Sequence, residues 1–295
     1  MKISSRKIAG LLTMLILLAS CTPISEATLY KRIVKHLPWY SPKEPTITFT
    51  LPADFDDTPK SSIKWIYIGS GEFIMGSSDS DVERADDEIP QHRVYLDAFW
   101  ISKTEITNTM YKNCVDAGVC KYSVSFMTNS NYLDPVYANH PVVYINWRGA
   151  QTFCNWIGGR LPTEAEWEKA ARGPDGEQYP WDSSVDVLIF TNSNNLVGDT
   201  TPVNAFTGSV SYYGVLDMNG NVREWVYDWY APDYYKHSPY NNPQGPEKTG
   251  LKVLKGASYL DSLRYTRAAN RLAHKPNSPG ATRGFRCAMS VGSRL

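Results

Sequence analysis

Gly159-Arg160-Leu161-Pro162-Thr163-Glu164-Ala165-Glu166-Trp167-Glu168 is the stretch on which the fold reading turns. Thr163 and Glu166 have the spacing of a capping box. In that motif the threonine oxygen and the glutamate carboxylate each satisfy a backbone N–H that the first helical turn leaves bare. Trp167, Ala170 and Ala171 then share one face, and Gly173 stops the helix. Glu164, Glu166 and Glu168 alternate around the helix start, where negative charge suits the helix dipole, so capping suffices to explain them.

Upstream, Asn146 caps a helix with Trp147, Ala150, Phe153, Cys154 and Ile157 on one face, ended by Gly158-Gly159. Thr107 caps another, carrying Met110, Tyr111, Cys114 and Val115 as far as Gly118. Trp65 to Ile68 and Glu72 to Gly76 read as two strands of a hairpin joined at Gly69-Ser70-Gly71. That turn has no P-loop lysine and no following helix, so it is not a phosphate cradle. Arg93 to Ser102 reads as a further strand, with Val94, Leu96 and Ala98 alternating. Beyond Gly173 helical periodicity ends, and about 120 residues of turns, short strands and aromatics follow, too long for an ordinary loop. Disulfides, bound cations and aromatic side chains are the expected packing agents.

At the start of the chain, Lys2, Arg6 and Lys7 flank an apolar run, Ile8 to Leu18, which is too short to span a bilayer comfortably. Residues 1–20 therefore read as a signal peptide. Leu18-Ala19-Ser20-Cys21 resembles a bacterial lipobox, making Cys21 the lipidated residue. Residues 21–63, with six prolines, read as a tether. The protein is thus expected in the bacterial cell envelope, lipid-anchored, with its domain extracytoplasmic. Thr22 after the cysteine favours the outer membrane where the host has one. Thirty basic and thirty acidic side chains, with no basic run, argue against a nucleic-acid partner. The 9 Trp and 19 Tyr suit a loop-rich extracytoplasmic fold or a ligand-binding surface.

An oxidising compartment makes disulfides the default for the other four cysteines. Cys114 and Cys120 lie six apart across a helix end, which leaves Cys154 to pair with Cys287. A metal site competes, but the spacing is not CxxC and no histidine lies at ligand spacing. The histidines at 36, 92, 140, 237 and 274 are too scattered for a ligand cluster, and no Ser/His/Asp arrangement is visible.

Several segments together resemble the formylglycine-generating enzyme, or sulfatase-modifying factor, family. They include Phe73-Ile74-Met75-Gly76-Ser77, Pro90-Gln91-His92-Arg93-Val94 and Gly159 to Glu168. Asn219-Gly220-Asn221-Val222-Arg223-Glu224-Trp225, Lys255-Gly256-Ala257-Ser258-Tyr259 and Arg283-Gly284-Phe285-Arg286-Cys287-Ala288 follow in the family's order, over residues 64–292. The resemblance implies an α+β fold of low regular structure, a variant of the C-type lectin fold with structural calcium. It also implies the Cys154–Cys287 bridge. Asp217, the carbonyls of Gly220 and Val222, and Glu224 offer the oxygen set that Ca2+ prefers and match the family's second calcium site. The first would fall near Asn195, Leu196 and Asp199.

The family's oxidases hold copper on two cysteines five apart, shortly after a Gly-Gly-Ser-Tyr segment. Here Gly256-Ala257-Ser258-Tyr259 leads into Leu260-Asp261-Ser262-Leu263-Arg264-Tyr265-Thr266, and no cysteine lies between 155 and 286. Soft thiolates select Cu(I), and hydroxyls and carboxylates do not replace them. Copper is not expected, and no catalytic residue is assigned. The expected role is a non-oxidase binding or accessory module for a peptide, protein or small-molecule ligand. Its cleft would be built from Ser258, Tyr259, Arg264, Arg267, Arg271 and His274, with the arginines suited to an anionic group. The same arginines equally suit pairing with local acids to stiffen loops. Two other readings stay open: an oxidoreductase with a non-cysteine site, and a glycan-binding module. The second lacks a Glu-Pro-Asn or Gln-Pro-Asp triplet.

Overall fold

The computed structural model describes residues 62–122, 132–181 and 190–292. The signal segment, Cys21, His36 and most of the tether lie outside the described residues. None of the described helices is long and apolar enough to cross a membrane.

The fold is mixed α/β. Strands β1 (Trp65–Ile68), β2 (Gly71–Met75), β3 (His92–Leu96) and β4 (Phe99–Ser102) come first. Helices α1 (Asn108–Asp116), α2 (Trp147–Trp156) and α3 (Glu164–Arg172) follow. Then come β5 (Arg223–Trp229), β6 (Lys252–Lys255), β7 (Leu272–His274), β8 (Arg283–Phe285) and β9 (Ala288–Ser290). The sheets run β1-β4-β9, β2-β3 and β7-β6-β5-β8, with β5 and β8 parallel and the other pairs antiparallel.

The expected hairpin at Gly69-Ser70-Gly71 does not form. β1 pairs with β4 (Ile68 opposite Phe99) and β2 with β3 (Gly71 opposite Leu96), in one continuous register. The glycines are a kink in a long two-stranded ribbon, and Asp97-Ala98 interrupts the partner strand at the same level. Lys169 of α3 explains the kink: its ammonium donates to the carbonyls of Gly69 and Gly71, each at 2.9 Å.

The helix caps form as the sequence predicts. Thr107 Oγ1 accepts from the Met110 amide, Asn146 Oδ1 from Gly149, and Thr163 with Glu166 completes the capping box. Gly118, Gly158 and Gly173 close the three helices at positive φ, a region open to glycine at no steric cost. Both expected disulfides are present, Cys114–Cys120 and Cys154–Cys287. The second lies in a core with Tyr111, Phe153, Trp225 and Phe285. A second core sets Trp167, Ala170 and Ala171 of α3 against Phe73, Val94 and Phe99. Burying each such phenylalanine stabilises by about 1.5–3 kcal/mol.

Capping accounts for only one of the three α3 glutamates. Glu166 closes the box and pairs with Arg160 at 2.6 Å. Glu164 and Glu168 point into the protein, where each holds a cation from the C-terminal half and Glu168 also holds Arg172 of α3 itself. Glu164 receives Arg271 at 2.8 and 3.0 Å, and Glu168 receives Lys255 at 2.9 Å and Arg172 at 2.8 Å. Burial raises the Glu168 pKa, but Lys255 and Arg172 outweigh it and hold the group at about 2. The pairs of Glu164 with Arg271, Glu168 with Lys255 and Glu88 with Arg267 join the long stretch after Gly173 to α3 and to the segment before β3, while Arg286–Glu224 lies within that stretch.

Candidate functional site

Strand β6 delivers Lys255 to the core, and the chain then turns through Gly256-Ala257-Ser258-Tyr259. Gly256 sits at φ +70°, and a Cβ there would meet the Met218 carbonyl at 3.1 Å and the Trp167 ring at 3.3 Å. The Ser258 amide and hydroxyl both donate to Asp261 Oδ2, each at 2.7 Å. Asp261 in turn takes a two-point contact from Arg223. Tyr259 is fixed from both sides by backbone: its amide donates to the Asn221 carbonyl at 3.0 Å, and its carbonyl accepts from Asn195 at 2.7 Å.

Tyr259 so placed lines a cavity of about 120 Å³. Tyr132, Tyr137 and Tyr144 supply further aromatic walls, with Pro141, Val143 and Ala281 between them. Asn108, Asp199 and Thr200 are its polar members. The Tyr137 hydroxyl donates to Asp199 Oδ2 at 2.9 Å, and the Thr200 amide donates to Oδ1 at 2.7 Å. Asn108 donates to the Tyr137 carbonyl at 2.9 Å, and His140 Nδ1 lies 2.9 Å from Thr200 Oγ1. Burial first, then the Asp199 charge, raises the Tyr259 pKa; the hydrogen bond to Asp199 raises that of Tyr137. Both phenols therefore stay neutral at physiological pH, able to donate. Tyr144 holds φ at +58°, an uncommon conformation for a bulky residue.

Of the six residues expected in the cleft, only Tyr259 lines this cavity. Ser258 is buried and engaged by Asp261. Arg267 makes a two-point pair with Glu88, at 2.5 and 2.8 Å, and reaches Asp81 at 3.0 Å. Arg271 is held by Glu164 and stacks over the Tyr235 and Tyr230 rings. Arg264 is exposed beside Tyr265. His274 is half-buried, with Nδ1 lacking a hydrogen-bond partner, and burial followed by Arg283 lowers its pKa. An anionic ligand drawn in by Arg267 and Arg271 is therefore corrected: both guanidiniums are saturated by buried carboxylates, as local pairing required. Sequence reasoning missed Asn108, Tyr132, Tyr137, Tyr144 and Thr200, and met Asp199 only as a marginal calcium ligand. They come from three separate segments, with no shared motif to unite them.

The expected calcium donors gather around Arg286. Glu224 accepts from Arg286 at 2.6 and 2.7 Å and from the Trp167 indole at 2.8 Å. The same guanidinium reaches the Leu216 and Asp217 carbonyls at 3.0 and 3.2 Å. Asp217 Oδ2 accepts from the Asn204 amide at 2.6 Å, and burial pushes its pKa up to about 6. Fully buried Glu105 lies beside them, raised well above the usual range by burial, then by Asp217 and Glu224; its Oε2 has no partner. Three carboxylates against one guanidinium leave room for added positive charge. Glu224 is nevertheless committed to Arg286 and Trp167, and no group of three acidic, histidine or cysteine side chains among the described residues is arranged to hold a metal. The donor set thus fits a calcium ion in part. Asp217, Gly220 and Val222 would hold it, and Glu224 would join only by sharing an oxygen with Arg286. Asn195 and Leu196 lie on an exposed loop, where the Asn195 amide instead fixes Tyr259.

A mixed α/β scaffold of short strands and long loops, carrying a small phenol-lined cavity beside a Ser-Tyr turn, defines the class. The chain matches the family of the sulfatase-modifying factor enzyme 1-like domain over residues 52–291, and it belongs to that family. The formylglycine-generating enzyme of Streptomyces coelicolor is 33% identical over 284 residues, covering 78% of this chain and 90% of that enzyme. The serine/threonine-protein kinase pkn1 of Chlamydia pneumoniae is 33% identical over 267 residues, covering 84% of this chain; the match spans only 42% of the kinase's own length. Among solved structures, PvdO from Pseudomonas aeruginosa superposes with a TM-score of 0.65 at 26% identity, covering 77% of this chain and 94% of that one.

Proposed function

We propose that this protein is a lipid-anchored module of the bacterial cell envelope that binds a peptide or small ligand through the Tyr259 cavity and does not generate formylglycine. The observation that carries this reading is the state of sulfur. Cys114, Cys120, Cys154 and Cys287 are all tied in disulfides, and among the described residues no cysteine lines the cavity. The phenols, amide and carboxylate in its place are hard oxygen and nitrogen groups, poorly matched to Cu(I). What the cavity retains is shape, aromatic surface and convergent hydrogen-bonding groups, the ordinary makings of a binding site.

The short strands and long loops support a lectin-like variant of the fold, and the Asp217 region supports a structural calcium ion. The lipobox-like Leu18-Ala19-Ser20-Cys21 supports the anchor. Metal analysis of the full chain, extracted in detergent and equilibrated with copper under reducing conditions, tests the proposal. Calcium without retained copper is expected; stoichiometric copper that survives dialysis would refute it. Cys21→Ser is expected to move the protein from the membrane to the soluble fraction.

A further inference from the structure

We infer that the Tyr259 cavity takes an alkylammonium group: the ligand presents a positively charged nitrogen, as a free amine or as a lysine side chain. This rests on the binding reading above and adds the ligand's chemistry.

The argument starts from charge. Among the described residues, Asp199 is the carboxylate of the cavity wall, and its oxygens accept from neutral donors, the Tyr137 hydroxyl and the Thr200 amide and hydroxyl. Among the described residues it has no ion-pair partner, whereas buried Glu88, Glu164, Glu168 and Glu224 each hold an arginine or lysine. Among the described residues, no lysine or arginine lines the cavity. The arginines nearby in sequence, Arg267 and Arg271, are saturated elsewhere. An anion entering the cavity would meet the Asp199 carboxylate, held by Tyr137 and Thr200.

The second line is the aromatic wall. Tyr132, Tyr137, Tyr144 and Tyr259 border the same space, and tyrosine faces carry the negative lobe of the ring quadrupole. Such walls attract ammonium groups, more strongly where water is excluded. This chain uses that interaction elsewhere: Lys252 lies over the Trp147 and Trp229 rings at 4.0 and 3.9 Å.

Calorimetric titration of the full chain in detergent tests this. The probes are choline, n-butylammonium, the uncharged dimethylbutanol isostere of choline, acetate, and a lysine-bearing peptide with its Nε-acetyl counterpart. The ammonium probes are expected to bind roughly tenfold or more tightly than the uncharged isostere, and acetate not at all. Binding should weaken as salt is raised. Asp199→Asn, which keeps an acceptor for Tyr137, should lose most of that preference. Tyr259→Leu should weaken every ammonium probe and provides a second variant should the first fold poorly. A preference of the lysine peptide over free amines assigns the source as protein; the reverse assigns a free amine. Equal binding of choline and its isostere, acetate preferred over ammonium, or no ammonium binding at millimolar concentration would each overturn the inference. Acetate or isostere binding lost in Tyr259→Leu would leave the binding module standing with the wrong ligand class. Copper-dependent turnover would remove the module reading itself.

Discussion

Arg286 and Glu224 face each other in a two-point ion pair at 2.6 and 2.7 Å, and both side chains are buried. Arg286 precedes Cys287, which carries the long-range disulfide, and Glu224 is the second residue of β5. The pair thereby joins the C-terminal end of the domain to its four-stranded sheet, while remaining N–H groups of Arg286 serve the Ser102, Leu216 and Asp217 carbonyls. Removing the Glu224 charge takes away the one ion-pair partner of Arg286 among the described residues and leaves it only the neighbouring charges of Glu105 and Asp217. Glu224→Gln is therefore expected to destabilise the domain by about 3–5 kcal/mol in urea unfolding. A change below about 1 kcal/mol would show that the pair does not hold the fold.

Glu168 gives the pH dependence a definite sign. Its folded-state pKa of about 2 lies below the ordinary 4.5 because Lys255 and Arg172 outweigh burial. The stabilisation is complete above about pH 4.5 and disappears as pH falls through about 2. The shift corresponds to about 3 kcal/mol. Unfolding free energy measured between pH 5 and 2 should fall in the wild type. In Glu168→Gln it should start lower and vary less over that window. An unchanged pH slope in the variant would contradict the assignment.

The two disulfides should differ in effect. Cys154–Cys287 closes a separation of 133 residues and Cys114–Cys120 one of 6. By chain entropy alone the long bridge stabilises by about 5 kcal/mol and the short one by about 2. The Cys154→Ser/Cys287→Ser double variant is expected to lose far more thermal stability than Cys114→Ser/Cys120→Ser. Equal losses in calorimetry would mean that the core around Phe153 and Phe285 holds without its bridge.

Local signals in the sequence translated well. Thr107, Asn146 and Thr163 cap the helices as read, because capping depends on side chains within three residues. Both cysteine pairings were legible because few cysteines had to be matched. Long-range consequences were not. Gly69-Ser70-Gly71 has turn composition, but Lys169, about 100 residues later, decides that it is a kink. Glu164 and Glu168 look like helix-start acids, and only folding brings Arg271 and Lys255 to them. Among the expected cleft residues Tyr259 was legible through its motif. Tyr132, Tyr137, Tyr144 and Asp199 were not, since their convergence is a property of loops with no periodicity.

The proposed function holds that this chain, with no cysteine among the described residues lining the Tyr259 cavity, does not oxidise cysteine to formylglycine. Its most direct test is incubation of the purified full chain with copper, oxygen and a cysteine-bearing sulfatase-type peptide, followed by mass spectrometry of the peptide. No conversion of the cysteine to an aldehyde is expected beyond a protein-free control. Copper-dependent conversion that disappears in Tyr259→Leu would contradict the claim.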